Sequence, residues 1–177
     1  MNKTIFHYVH LYYGFGKGKT TAAFGLALRA VGQGQKVICL QWLKGRLDIG
    51  EVKAAKLLSG KVKVYQFGPD HFTWDKKGDS EHKKLAILGL KFLEKIVAKE
   101  KFDLLILDEI MDAVEMKFIP KSKVIALIKK AVKKGEVVLT GHKLVPEFSK
   151  IADLVTEMKK VKHYFDKGQL AREGIEY

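Results

Sequence analysis

The chain reads as an α/β protein: a single three-layer domain over residues 1–177, with a mostly parallel sheet of five to six strands, helices on both faces and a phosphate-loop NTPase-like plan. Three observations predict this. Short apolar runs alternate with longer stretches of helical periodicity along the whole length. The run Leu104-Leu105-Ile106-Leu107 is apolar at every position, as suits a strand covered on both faces in the middle of a parallel sheet. The first apolar run ends in Gly14-Phe15-Gly16-Lys17-Gly18-Lys19-Thr20-Thr21 and passes directly into a helical pattern.

The elements follow in order. Residues 7–13 form the first strand. Residues 19–31 form a helix whose Ala22, Ala23, Leu26, Ala27 and Ala30 make a face of small side chains, and Gly32 and Gly34 end it. A second strand spans 36–41, a short helix 51–58 and a third strand 62–67. The longest helix spans 80–99, with Leu85, Leu88, Phe92 and Ile96 spaced by three and four on one face. After the fourth strand, 104–107, come a helix at 122–134, a fifth strand at 137–140, a helical segment at 147–152 and a last strand at 154–158. No repeat, low-complexity tract or long linker divides the chain. The irregular stretches 44–50 and 68–79 both follow strands, at the edge where open α/β sheets bind ligands.

Composition narrows the class. With 177 residues, 47% of them hydrophobic, the chain can bury one sizeable core. Residues 1–10 lack a long apolar stretch behind a basic start, and no run of about 18 apolar residues occurs. A soluble, cytoplasmic protein without a membrane partner is the expectation. The single cysteine, Cys39, lies in an apolar run and reads as a small core residue. The net charge of +13 is spread along the chain and is mostly lysine, with arginine only at positions 29, 46 and 172. Many lysines sit beside glutamates on helical faces, as in 91–101. That pattern reads as solvated surface and argues against a dedicated nucleic-acid face.

The glycine-rich loop carries the first chemistry. Its glycines let the backbone curl until N–H groups point at phosphate oxygens, and the helix that follows offers free N–H groups and a favourable dipole. Lys19 can reach phosphate oxygens and Thr20 can place a hydroxyl on Mg²⁺. Gly18-Lys19-Thr20 fits the usual pattern, but its first glycine position falls on Tyr13, and the glycines stand instead at 14 and 16. A dinucleotide fingerprint fails, because its last glycine falls on Lys19. The second element is the acidic end of the fourth strand, Asp108-Glu109, which can serve a divalent cation. Adjacent residues of an extended strand point to opposite faces, so only one of the two is expected to touch the metal.

Other residues discriminate further. The loop and its helix over 14–32, Gln41-Trp42-Leu43-Lys44-Gly45 followed by Gly50-Glu51, Phe72-Thr73-Trp74-Asp75, Asp108-Glu109, Thr140-Gly141, Val161-Lys162-His163-Tyr164-Phe165-Asp166-Lys167-Gly168 and residues 171–177 together resemble the ATP:corrinoid adenosyltransferases of the cob(I)alamin type. The resemblance covers almost the whole chain. It implies transfer of the 5′-deoxyadenosyl group of ATP to the Co(I) of a reduced corrinoid, with triphosphate expelled and no phosphoryl group transferred. It implies that Gly14, Phe15, Gly16, Lys17, Gly18, Lys19, Thr20 and Thr21 hold ATP, with Arg29 a further contact. Thr20 and Glu109 would hold Mg²⁺, with Asp108 a second candidate. Lys19 would stabilise the leaving triphosphate. Phe72 and Trp74 would lie beneath the corrin and exclude the lower axial ligand, with His163 a further corrinoid contact. An electron-donor protein such as a flavoprotein and a homodimer are implied partners.

Three residues depart from the family pattern: Tyr13 and Phe15 stand at or in the loop, and His142 stands where arginine is common. On sequence grounds the +13 charge leaves open a phosphate-loop ATPase acting with nucleic acid, and Phe15 and His142 leave open a non-catalytic corrinoid or ATP carrier. His71 and His82, lone histidines in a loop and at a helix start, are not expected to be ligands.

Overall fold

The apolar runs become six strands: β1 (Val9–Tyr13), β2 (Val37–Trp42), β3 (Val62–Phe67), β4 (Leu104–Asp108), β5 (Glu136–Gly141) and β6 (Leu154–Glu157). A computed structural model, describing residues 6–58, 60–70 and 76–177, assembles them into one sheet of order β3-β2-β4-β5-β1-β6. Every pairing is parallel. Leu105 of β4 registers with Ile38 on one side and Val137 on the other.

Alternation along the strands divides the core in two. Cys39, Leu104, Ile106 and Val138 pack against Ala23, Ala27 and Ala30 of α1 (Lys19–Gly32) and Ala55 of α2 (Gly50–Leu57). Ile38, Leu40, Leu105, Leu107 and Leu139 face the opposite layer. That layer holds α3 (Lys76–Lys99), α4 (Ile110–Glu115), α5 (Lys121–Ala131) and α6 (Pro146–Ser149). Helices therefore cover both faces, as expected, and Cys39 is fully buried. Among the described residues, no helix is long and apolar enough to cross a membrane.

Two details differ from the sequence reading. Leu88 of α3 is exposed, and the buried face is Ala86, Leu90, Leu93, Ile96 and Val97. The cause is Gly89, where a Cβ would stand 2.8–2.9 Å from Phe67 and the Trp42 indole. The helix turns this bare position toward β2 and β3, and the Trp42 Nε1–H donates to the Ala86 carbonyl at 3.2 Å. The second difference is α4, a single short helix directly after the acidic pair, where the sequence reading had placed none. Its residues Ile110 to Val114 are all buried, so they lack the polar face that marks an amphipathic helix.

All strands being parallel, their carboxyl ends lie at one edge. The phosphate loop, the turn at Leu43–Lys44, Glu109 and the turn at His142 therefore emerge side by side.

Candidate functional site

The glycine loop hangs between two strand ends. The Gly14 N–H donates to the His142 carbonyl at 3.0 Å, and the Gly16 N–H donates to the Met158 carbonyl at 2.7 Å. A Cβ on either glycine would stand 2.5 Å from the Met158 oxygen, which is why these positions tolerate no side chain. Gly18, at φ 119, turns the chain into α1. No side chain caps that helix and its first turn holds no acid, so its free N–H groups stay available to an anion.

Lys19 folds over the loop, its Nζ donating to the carbonyls of Gly14 (2.7 Å) and Gly16 (3.0 Å). Burial lowers its pKa, against the pull of Asp112, Glu109 and Asp108. Lys17 points elsewhere, to the Tyr164 hydroxyl, the Ile175 carbonyl and the Glu176 carboxylate at 2.5–2.9 Å. Phe15 is exposed, its ring centroid 5.8 Å from that of His142. Thr21 is exposed as well. Arg29 lies exposed in the last turn of α1, about 15 Å beyond Lys19 along the helix axis.

At the end of β4, Asp108 is completely buried yet fully partnered. It accepts from Thr140 Oγ1 (2.7 Å), Lys44 Nζ (2.8 Å), Thr20 Oγ1 (3.0 Å) and Gln41 Nε2 (3.1 Å). Burial would raise its pKa, but the Lys44 charge and the bonds from Lys44, Thr140 and Gln41 outweigh that and hold it below the usual carboxylate range. Glu109 leaves the strand at φ 59, a left-handed conformation rare for a side chain, and its N–H donates to Thr140 Oγ1 at 2.8 Å. Glu109 therefore departs from strand alternation, and both carboxylates reach one ammonium, Lys44 Nζ, at 2.8 and 3.3 Å. The strand alternation on which the single-acid expectation rested is broken by that turn. Burial pushes the Glu109 carboxyl up, against the neighbouring Lys44.

Beside this cluster opens a cavity of about 910 Å³, lined in part by Leu43, Lys44, Glu109, Asp112, Phe118 and His142. His142 is held by Asp112, which accepts its backbone N–H at 2.9 Å and lies 3.1 Å from its Nδ1. His163 does not line the cavity. It caps a short 3₁₀ turn, Tyr164–Lys167, its Nδ1 accepting the Phe165 N–H at 3.1 Å. Phe72 and Trp74 lie outside the described residues.

The structure thus brings Lys19, Thr20, Asp108 and Glu109 together and sets Arg29 and His163 apart. Gln41, Lys44, Asp112 and Thr140 join the site without having been given a role from sequence. One signal was present: Gln41 is a polar residue near the end of a strand buried at every position. It accepts in turn from Gln66 Nε2 at 3.1 Å.

Glycine loop, uncapped helix and acidic strand end on one edge of a parallel sheet define a phosphate-loop α/β protein. The crystal structure of flagellar accessory protein FlaH from Methanocaldococcus jannaschii shares the fold, with a TM-score of 0.58 and 15% identity over 86% of this chain and 72% of that one. The family described as ATP:corrinoid adenosyltransferase BtuR/CobO/CobP matches residues 6–177, and the chain belongs to this family of transferases. The corrinoid adenosyltransferase of Escherichia coli K12 is 34% identical over 164 residues, covering 93% of this chain and 82% of the relative. Corrinoid adenosyltransferase CobA of Salmonella typhimurium LT2 matches with the same identity and coverage.

Proposed function

We propose that the chain, as one phosphate-loop domain over residues 1–177, transfers the 5′-deoxyadenosyl group of ATP to the Co(I) of a reduced corrinoid. The observation that carries this reading is the shared opening: Lys44, Glu109, Asp112 and His142 belong to the polar cluster beside the phosphate loop and also line the 910 Å³ cavity. A nucleotide on the loop and a large ligand in the cavity would meet at that boundary. Co(I) attacks the ribose C5′ with its electron pair, the C5′–O bond breaks, and triphosphate leaves with that bond's electrons.

Each residue then has a task. Lys19 and the free N–H groups of α1 bind and stabilise the triphosphate as charge develops on the departing oxygen. Lys17 and Thr21 contribute phosphate contacts once the nucleotide engages the loop. Phe72 and Trp74 cover the lower face of the corrin and keep out water. Thr20, Glu109 and Asp108 fit Mg²⁺, because their hard oxygens already converge on a single cation, the Lys44 ammonium. Bound there, Mg²⁺ supplies charge neutralisation for the triphosphate. We place the reaction in the cytoplasm, with an electron-donor protein reducing the corrinoid from Co(II) to Co(I) and a homodimer as the working assembly.

The test is an anaerobic assay with Mg-ATP and chemically reduced cobalamin, followed in the visible spectrum. The expected outcome is a light-sensitive alkyl product, one triphosphate released per product, and loss of both in Lys19→Ala and Trp74→Ala. ATP binding without product, for cobalamin and for simpler corrinoids alike, would overturn the transferase reading.

A further inference from the structure

Lys44 reaches the site by an unusual route. Leu43 adopts φ 60, a left-handed conformation that costs a branched side chain energy and persists only where packing enforces it. The enforcing partner is Gly68. A Cβ there would stand 2.3 Å from the Lys44 nitrogen and 2.4 Å from the Leu43 carbonyl carbon, so the two loops cross in direct backbone contact. Gly45 is pressed likewise, its position only 2.1 Å from the Gly68 oxygen if it carried a Cβ. The crossing aims Lys44 inward, and its side chain is 23% exposed.

Its ammonium lies 3.1 Å from Thr20 Oγ1, 2.8 Å from Asp108 Oδ2 and 3.3 Å from Glu109 Oε1. An ammonium carries three donors, and here three oxygens receive it, from α1, the end of β4 and the turn that follows β4. These are the same three oxygens to which the proposed function assigns Mg²⁺. The ammonium and a divalent ion cannot both sit among them. We propose that Lys44 is a resident counter-ion: its ammonium occupies the divalent-cation position in the nucleotide-free protein and yields it when the metal arrives with ATP.

The physical case has two halves. Without some cation, Asp108, fully buried, and Glu109 beside it would be unneutralised like charges in a low-dielectric edge. A lysine tethered at the spot supplies that charge at high effective concentration, so free metal competes against it poorly. With ATP on the loop the balance reverses. The triphosphate brings oxygens that accept an ammonium, and the flexible four-carbon stem lets Lys44 swing to them while staying in the cavity it lines. Metal binding thereby becomes conditional on nucleotide, and Lys44 is a positioning residue for the triphosphate rather than part of a fixed ion pair.

The inference rests on the metal assignment above but can fail separately from it. The probe is Mn²⁺, titrated by electron paramagnetic resonance into the whole protein, without corrinoid, with and without ATP. Without nucleotide, wild type is expected to bind Mn²⁺ weakly and Lys44→Met about tenfold or more tightly, the scale of one lost charge contact. With ATP present, the difference should shrink to within about threefold. Lys44→Gln serves as a second variant if Lys44→Met does not fold. Equal Mn²⁺ affinity of wild type and variant without nucleotide would overturn the proposal. So would tighter binding that survives Asp108→Asn in the Lys44→Met background, since the metal would then lie elsewhere. Because the nucleotide-free comparison needs neither ATP binding nor product, it decides the role of Lys44 even if adenosyl transfer fails.

Discussion

In β4, Leu104 to Leu107 lie among apolar side chains, while Asp108, one residue further, is just as inaccessible and touches four polar groups. β2 repeats the contrast: Val37 to Leu40 are apolar and Gln41 is buried and bonded to Asp108. The same strands thus build two regions. In the sheet interior, burial removes apolar surface from water and any shape-compatible hydrophobe would serve. At the carboxyl edge, burial is satisfied only by named polar partners, and losing one leaves a charge uncompensated. Backbone strain follows the second region. Of the three non-glycine residues with positive φ among those described, Leu43 and Glu109 both sit at that edge. Strain of this kind persists where geometry serves a site rather than stability.

The largest effect is expected in the interior. Leu105→Ala removes a fully buried side chain between two neighbouring strands and should cost about 2–5 kcal/mol of stability. Chemical denaturation measures it. ATP affinity at a temperature where the variant is folded should be unchanged. Lys19→Ala makes the opposite trade. Among the described residues its Nζ hydrogen-bonds to loop carbonyls alone, so the melting temperature should move little, while adenosyl transfer falls by about 10²–10³-fold, the usual cost of losing one preorganised charge-stabilising donor. If Lys19→Ala instead unfolds the protein with transfer per folded molecule intact, the division of labour between the regions is wrong.

These two regions were unequally legible in the sequence. Interior strands announce themselves through runs such as residues 104–107, because burial on both faces demands apolarity at every position. Lys19, Thr20, Asp108 and Glu109 were legible as a loop motif and an acidic strand end. The convergence of both carboxylates was not, because it depends on the left-handed turn at Glu109, and nothing in a glutamate codon position signals positive φ. Lys44 was hidden for the same reason: its aim depends on a crossing with Gly68, 24 residues away in sequence. Leu88 misled because helical spacing marks an apolar stripe but not its exact azimuth, which Gly89 fixes by close approach.

A smaller effect sharpens the polar side. The Asp108 pKa is depressed in the folded protein, so its contribution to stability is present above the ordinary aspartate range and is lost as pH falls through the folded value. Glu109 is raised, so its charged form works the other way: stability is greatest below the ordinary glutamate range and declines as pH rises through the folded value. Asp108→Asn should therefore flatten the acid limb of the stability profile, and Glu109→Gln should raise stability at neutral pH. Parallel acid limbs for wild type and Asp108→Asn would show that Asp108 is not charged in place.

The smallest effect concerns His142, which stands on the boundary between loop and cavity. Its hydrogen bond to Asp112 raises its pKa, against partial burial, and its side chain is 48% exposed. A raised folded pKa stabilises the protonated form. The contribution is therefore fully present below the ordinary histidine value of about 6.5 and is lost as pH rises through the folded value. Solvent screening limits a half-exposed pair to about 1 kcal/mol or less. Imidazole proton resonances should show His142 titrating above the ordinary value in wild type and returning toward it in Asp112→Asn. A charged imidazolium there would add a cation to the wall where the triphosphate is proposed to lie, so ATP affinity should rise as pH falls through this titration in wild type and stay flat in His142→Gln. If ATP affinity has the same pH dependence in both, His142 is a strut whose backbone carbonyl accepts the Gly14 N–H, and it takes no part in holding the nucleotide.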